Sequence, residues 1–188
     1  MQKLGGESVQ NGHYSECITL NLDKMVTDVV KLLKRRGLTI ATCESCTGGL
    51  LSELITSVSG ASEVFELGIC TYSEKMKTKF LGVSEELIAQ YGVVSREVAL
   101  AMVGGLKCCS GADVCVSVTG IAGPGGGTAE TPVGTVFIGF DICGKQFVRC
   151  PELRTMNGLS REQIRCTAAE FAFGIVEDVL MEAIQNYE

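Results

Sequence analysis

The stretch Thr42-Cys43-Glu44-Ser45-Cys46-Thr47-Gly48-Gly49 sets a hydroxyl, a carboxylate and two glycines where the chain changes from strand-like to helix-like patterning. Upstream, Leu38-Thr39-Ile40-Ala41 follows a glycine and reads as a short buried strand. Downstream, Leu50, Leu51, Leu54, Ile55 and Val58 recur at helical spacing. Free backbone N–H groups and the positive end of a helix dipole point out of such a junction and can hold an anion or a developing oxyanion. Ser45 is the candidate nucleophile of this loop. The bland alternative is an N-capping serine in an ordinary turn.

A nucleophilic hydroxyl needs a base. The only histidine is His13, in a polar N-terminal stretch, which argues against a Ser-His-Asp triad and against a histidine metal site. Lysine and tyrosine are the usual substitutes. The segment Thr71-Tyr72-Ser73-Glu74-Lys75-Met76-Lys77 supplies both, with Tyr72 closing a strand and Lys77 about one turn into the following helix. To act as a base near neutral pH, a lysine must lose about three pKa units, about 4 kcal/mol of preference for the neutral form. Desolvation can supply that. Composition alone also allows Lys75, Lys77 and Lys79 to be a solvated helix face.

A second glycine-rich loop, Thr119-Gly120-Ile121-Ala122-Gly123-Pro124-Gly125-Gly126-Gly127, follows another apolar strand. It lacks the spacing of a dinucleotide fingerprint, and no Gly-Lys-Ser/Thr occurs in the chain, so P-loop chemistry is disfavoured. It reads either as a flexible turn or as one wall of a cleft for a phosphorylated ligand. Cys43-x-x-Cys46 fits a redox or zinc half-site, but the second pair that zinc needs is missing. No metal and no organic cofactor is expected.

The 188 residues suffice for one domain with a full core, and a net charge of -6 argues against general nucleic-acid binding. A small ligand or a protein is the better partner. No apolar run approaches the roughly 18 residues of a membrane span, and no secretory signal opens the chain, so a cytoplasmic protein is expected. The ten cysteines, among them Cys70, Cys115, Cys143 and Cys166, read as small buried hydrophobes in a reducing compartment.

Residues 1–20 read as a loose extension and 21–188 as a single domain. Within that domain, the pattern predicts a helix over 22–36 and strands over 38–41, 64–72 and 113–118. A hairpin over 133–153 turns at Gly144. Ser73, Ser84 and Ser95 are expected N-caps, and Ser160-Arg161-Glu162-Gln163 is a capping box. It opens a last helix with Ile164, Ala168, Phe171, Ile175, Val179 and Ala183 on its apolar face. Helices alternating with buried strands predict an α/β fold, a three-layer α/β/α sandwich around a mixed, mostly parallel sheet.

Five motifs, taken in order, closely resemble the CinA C-terminal domain family: Glu44-Ser45-Cys46-Thr47-Gly48-Gly49, Tyr72-Ser73-x-x-x-Lys77, Gly92-Val93-Val94-Ser95, the Thr119 to Gly127 loop, and Pro132-Val133-Gly134-Thr135. Characterised members of that family are nicotinamide-nucleotide amidohydrolases, and the resemblance spans about residues 22–185. It implies the stand-alone form of the domain, without the molybdopterin-binding-like domain of full-length relatives, and a homodimer. By position, Ser45 matches the nucleophile, Lys77 the general base and Tyr72 an orienting or proton-relaying group. Thr119, Gly120 and Gly123 match the loop that faces the substrate, and Arg161 a partner for the nucleotide phosphate.

The family's Gly-Asp-Arg is one residue longer here, at Gly158-Leu159-Ser160-Arg161, and Glu74-Lys75-Met76 replaces a usual Asn-Glu-Ala. The activity so implied is hydrolysis of the carboxamide of nicotinamide mononucleotide. Glu44, Cys46, Thr47, Gly48 and Gly49 would then line the substrate, and N–H groups around residues 47–49 would hold the oxyanion. Two other readings stay open: a non-catalytic nucleotide-binding or competence-related interaction module, and a thiol redox protein using Cys43 and Cys46.

Overall fold

The computed structural model describes residues 10–151, 153 and 158–185. Five strands, β1 (Ile40–Glu44), β2 (Phe65–Cys70), β3 (Val114–Gly120), β4 (Val136–Ile142) and β5 (Lys145–Arg149), form one sheet in the order β2-β1-β3-β4-β5. The β1–β2 and β1–β3 pairings are parallel, and the β3–β4 and β4–β5 pairings are antiparallel. Four of the five strands therefore point the same way, with β4 alone reversed, and the sheet is mixed as expected.

Helices α1 (Gln10–Arg36), α2 (Leu50–Thr56) and α6 (Arg161–Gln185) cover one face. Helices α3 (Glu74–Leu81), α4 (Glu85–Tyr91) and α5 (Arg96–Ser110) cover the other. Strand alternation divides the core accordingly. Ile40, Val114, Val116 and Val118 pack toward α1, α2 and α6, while Ala41, Cys43 and Cys115 pack toward α5. The residues facing α5 are small, so its backbone comes close to the sheet: a Cβ on Gly139 would lie 2.6 Å from the Ala99 carbonyl oxygen.

Local signals place the ends of the elements. The hydroxyls of Ser73, Ser84 and Ser95 accept from the N–H groups of Met76, Leu87 and Val98, and left-handed Gly82 and Gly111 close α3 and α5. Ser160 and Gln163 cap each other reciprocally at the start of α6.

Three expectations change. Helix α1 begins at Gln10 rather than at residue 22, so the expected extension overlaps a helix, and its first nine residues lie outside those described. The buried side of α6 is carried by Ala169, Ala172, Phe173, Val176 and Leu180 beside Ile164 and Ala168, with Phe171, Ile175 and Val179 only half-buried. This helix packs on α1 and α2 as well as on β4, so no single stripe defines its interior. Cys70 and Cys143 are exposed, one at the end of an edge strand and the other in the hairpin turn, where its φ is 51°. Cys166 is half-buried.

Candidate active site

Because β2, β1 and β3 run parallel, their carboxyl ends lie along one edge of the sheet. Ser45 follows the middle strand, Thr71 and Tyr72 follow β2 on one side, and Thr119 and Gly120 end β3 on the other. This edge opens into a cleft of about 740 Å³. Ser45, Cys46, Tyr72, Thr119, Gly120, Gly123 and Arg161 line it, seven of the residues that the sequence singled out.

Lys77 lies behind Ser45. It is completely buried, and its Nζ stands 3.1 Å from Ser45 Oγ, 2.7 Å from the Thr71 carbonyl oxygen and 3.4 Å from that of Tyr72. The Ser73 cap fixes the start of α3, so that the fourth helical residue points back toward β1. Burial pushes the Lys77 amine below the ordinary lysine range, opposed by negative charge on Cys43, Cys46, Cys70 or Glu74. The two largest of these opposing charges are absent at neutral pH, because burial holds the Cys43 thiol well above its usual range and raises Cys46 to about 11. Both thiols are then uncharged. No ion pair to Lys77 occurs among the described residues.

Glu44 has a different place from the one expected. Its carboxylate is fully buried and accepts from the N–H groups of Gly49 (3.0 Å), Leu51 (3.1 Å) and Ser52 (3.0 Å), and from the Ser52 hydroxyl (2.8 Å). It caps α2 from within and does not face the cleft. Thr47, Gly48 and Gly49 also stand back from the cleft wall. The Gly48 N–H donates to the Ser45 carbonyl and that of Gly49 to Glu44, so neither is free to hold an oxyanion. The N–H groups of Cys46 and Thr47 remain: among the described residues, the first meets only its own Sγ and the second no acceptor. Gly48 and Gly49, with φ of 62° and 98°, supply the left-handed turn that aims this loop.

On the far wall, Thr119 donates its hydroxyl to the Val93 carbonyl at 2.8 Å, tying β3 to the segment before α5. Val93 and Val94 line the cleft, a role that the Gly92-Val93-Val94-Ser95 motif had marked without assigning. Arg161 reaches across the mouth, donating to the Gly123 carbonyl at 2.8 Å and to the Tyr72 hydroxyl at 3.2 Å. Tyr72 is 61% exposed, at the rim and not at the Ser45–Lys77 contact. Sequence reasoning missed Arg165, one helical turn beyond Arg161, whose Nε and Nη2 both donate to the Thr47 carbonyl at 3.1 and 2.6 Å. Its i,i+4 spacing from Arg161 was the available signal.

The geometry can deprotonate a hydroxyl in a water-poor corner beside free N–H groups, with a guanidinium at the entrance. Known proteins resemble this chain in sequence and in fold. The family model of the CinA C-terminal domain matches residues 22–180. The chain is 46% identical over 156 residues to a CinA-like protein of Kosmotoga olearia, covering 83% of this chain and 37% of that protein. To a CinA-like protein of Desulfotalea psychrophila it is 45% identical over 162 residues, 86% of this chain and 38% of the other. It thus spans less than two fifths of the length of these curated relatives.

Among solved structures, a competence-damaged protein (CinA) superfamily protein from Klebsiella pneumoniae superposes with a TM-score of 0.80 at 28% identity, over 86% of this chain and 98% of that one. The competence/damage inducible protein CihA from Agrobacterium tumefaciens gives 0.80 at 31%, over 95% and 98%. In sequence and in architecture alike, the chain belongs to the CinA C-terminal domain family.

Proposed function

We propose that this protein hydrolyses the carboxamide of nicotinamide mononucleotide, releasing ammonia and nicotinate mononucleotide, with Ser45 as nucleophile and Lys77 as base. The observation that carries the reading is a fully buried amine 3.1 Å from the Ser45 hydroxyl with no carboxylate paired to it among the described residues. A neutral amine has two N–H donors and one lone pair. The carbonyls of Thr71 and Tyr72 take the donors, which turns the lone pair to Ser45.

In the reaction, the Ser45 proton passes to Lys77 as Oγ bonds to the carboxamide carbon. The resulting oxyanion is received by the N–H group of Cys46, the free donor of this loop on a residue that lines the cleft. Collapse breaks the C–N bond, and Lys77 returns its proton to the leaving nitrogen, which departs as ammonia. Water then attacks the ester, giving up a proton to Lys77. The carboxylate leaves and the Ser45 hydroxyl is restored. Arg161, at the mouth beside the glycine loop, receives the phosphate.

The test is ammonia release from nicotinamide mononucleotide by the purified protein, with the riboside and free nicotinamide as controls. Alanine at Ser45 or at Lys77 lowers turnover by about a thousandfold or more while sparing the fold. Full activity in either variant ends this scheme.

A further inference from the structure

We infer that Arg165 is a positioning residue for the oxyanion step, acting through the backbone of the Ser45 loop on the Cys46 N–H. The inference rests on the amidohydrolase reading and adds to it a residue that does not touch the substrate. Its guanidinium places two donors on one acceptor, the Thr47 carbonyl, at 3.1 and 2.6 Å. The peptide group bearing that carbonyl also bears the Gly48 N–H, which donates to the Ser45 carbonyl at 3.0 Å. The Ser45 carbonyl belongs in turn to the peptide group whose N–H is that of Cys46. Cys46 lines the cleft, and its N–H meets no acceptor other than its own Sγ among the described residues.

A permanent cation therefore heads a series of two peptide groups that ends at a candidate oxyanion donor. Hydrogen bonds in series polarise one another, and a charged donor at the head strengthens those that follow. The same contacts fix the loop geometrically. Thr47 Oγ1 is buried without a partner, so the side chain of Thr47 does not hold it. The series acts on charge that appears only in the transition state, so its loss lowers kcat and leaves ground-state binding alone.

The experiment compares the wild type with Arg165→Met and Arg165→Lys by two readouts. One is kcat and KM for ammonia release from nicotinamide mononucleotide. The other is the rate at which a fluorophosphonate labels Ser45, a step that forms the Ser45 O–P bond, expels fluoride, passes the proton to Lys77 and develops charge on a phosphoryl oxygen.

Arg165→Met is expected to lose about ten- to a hundredfold in kcat and in labelling rate, with KM within about twofold. Guanidinium ion, added below denaturing concentration, restores part of both rates. Arg165→Lys keeps the charge but not the fork and falls between the two; it carries the test alone if the Met variant does not fold. Unchanged kcat and labelling in both folded variants, or a loss confined to KM and melting temperature, overturns the inference while leaving the amidohydrolase reading intact. A wild type that neither labels at Ser45 nor releases ammonia overturns both.

Discussion

The Lys77 amine lies closer to the Thr71 carbonyl, at 2.7 Å, than to the hydroxyl of Ser45, at 3.1 Å. The end of β2 thus anchors the lysine, and Ser45 receives what the anchor leaves free. Loss of Ser45 should accordingly leave Lys77 in place, whereas displacement of α3 should disable both residues at once.

The charged form of Lys77 is disfavoured in the folded protein, so stability should depend on pH through this residue. Its folded pKa is lowered from 10.5, and between the lowered value and 10.5 the unfolded chain binds more protons than the folded one. Stability contributed through Lys77 therefore rises with pH across that window; the burial penalty is fully present below it and gone above it. Against Lys77→Met, which does not titrate, the wild type should gain stability with a slope of at most about 1.4 kcal/mol per pH unit. Urea unfolding of both proteins at a series of pH values checks this. A flat difference would mean that the amine is not desolvated.

The same lowering governs the rate. Ammonia release should fall on the acid side about tenfold per pH unit below the folded pKa of Lys77, because the protonated amine cannot accept from Ser45. A profile of kcat/KM against pH reads that limb. A rate that rises only toward 10.5 would place the amine in ordinary solvent.

Two adjacent glycines in α5 should behave oppositely. A Cβ on Gly105 would overlap the Leu81 carbonyl at the end of α3, while one on Gly104 meets nothing within 4 Å. Gly105→Ala should cost about 1–3 kcal/mol and reduce activity, since it pushes away the helix that carries Lys77. Gly104→Ala should stabilise by about 0.5–1 kcal/mol. Denaturation midpoints and kcat for the two variants decide the matter.

Arg161→Met should raise KM for nicotinamide mononucleotide about ten- to a hundredfold, as expected for one charge-assisted phosphate contact, and change turnover of the riboside little. Equal losses on both substrates would assign Arg161 to holding Tyr72 and Gly123 instead.

Cys46 should resist alkylation. With its pKa at about 11, only about one molecule in a thousand carries the thiolate at pH 8. Iodoacetamide should modify the exposed Cys70, Cys108, Cys109 and Cys143 first, as peptide mass spectrometry would show. Rapid labelling of Cys46 would revive a thiol role for Cys43-x-x-Cys46.

The features legible in the sequence are those that local chemistry writes. Ser73, Ser84 and Ser95 announced their helices because a cap satisfies its own neighbours. Ser45, Lys77 and Thr119 could be proposed together because parallel strands bring their carboxyl ends to one edge. Glu44 was misplaced because a buried carboxylate capping a helix five to eight residues later leaves no periodic trace. Arg165 was missed because its spacing from Arg161 names no partner, and that partner lies 118 residues away, on a carbonyl that any residue type would supply. The buried side of α6 was misjudged because contact with three other elements blurs any stripe.

The internal cap on α2 also constrains how a ligand can lie. The Glu44 side chain already accepts from the N–H groups at the start of that helix, so the junction that in other folds would cradle a phosphate has its donors taken here. An anionic tail must turn the other way, toward the guanidinium at the opposite lip. On the amidohydrolase reading proposed above, a substrate with a reactive carbonyl at one end and a phosphate at the other is thereby given a direction.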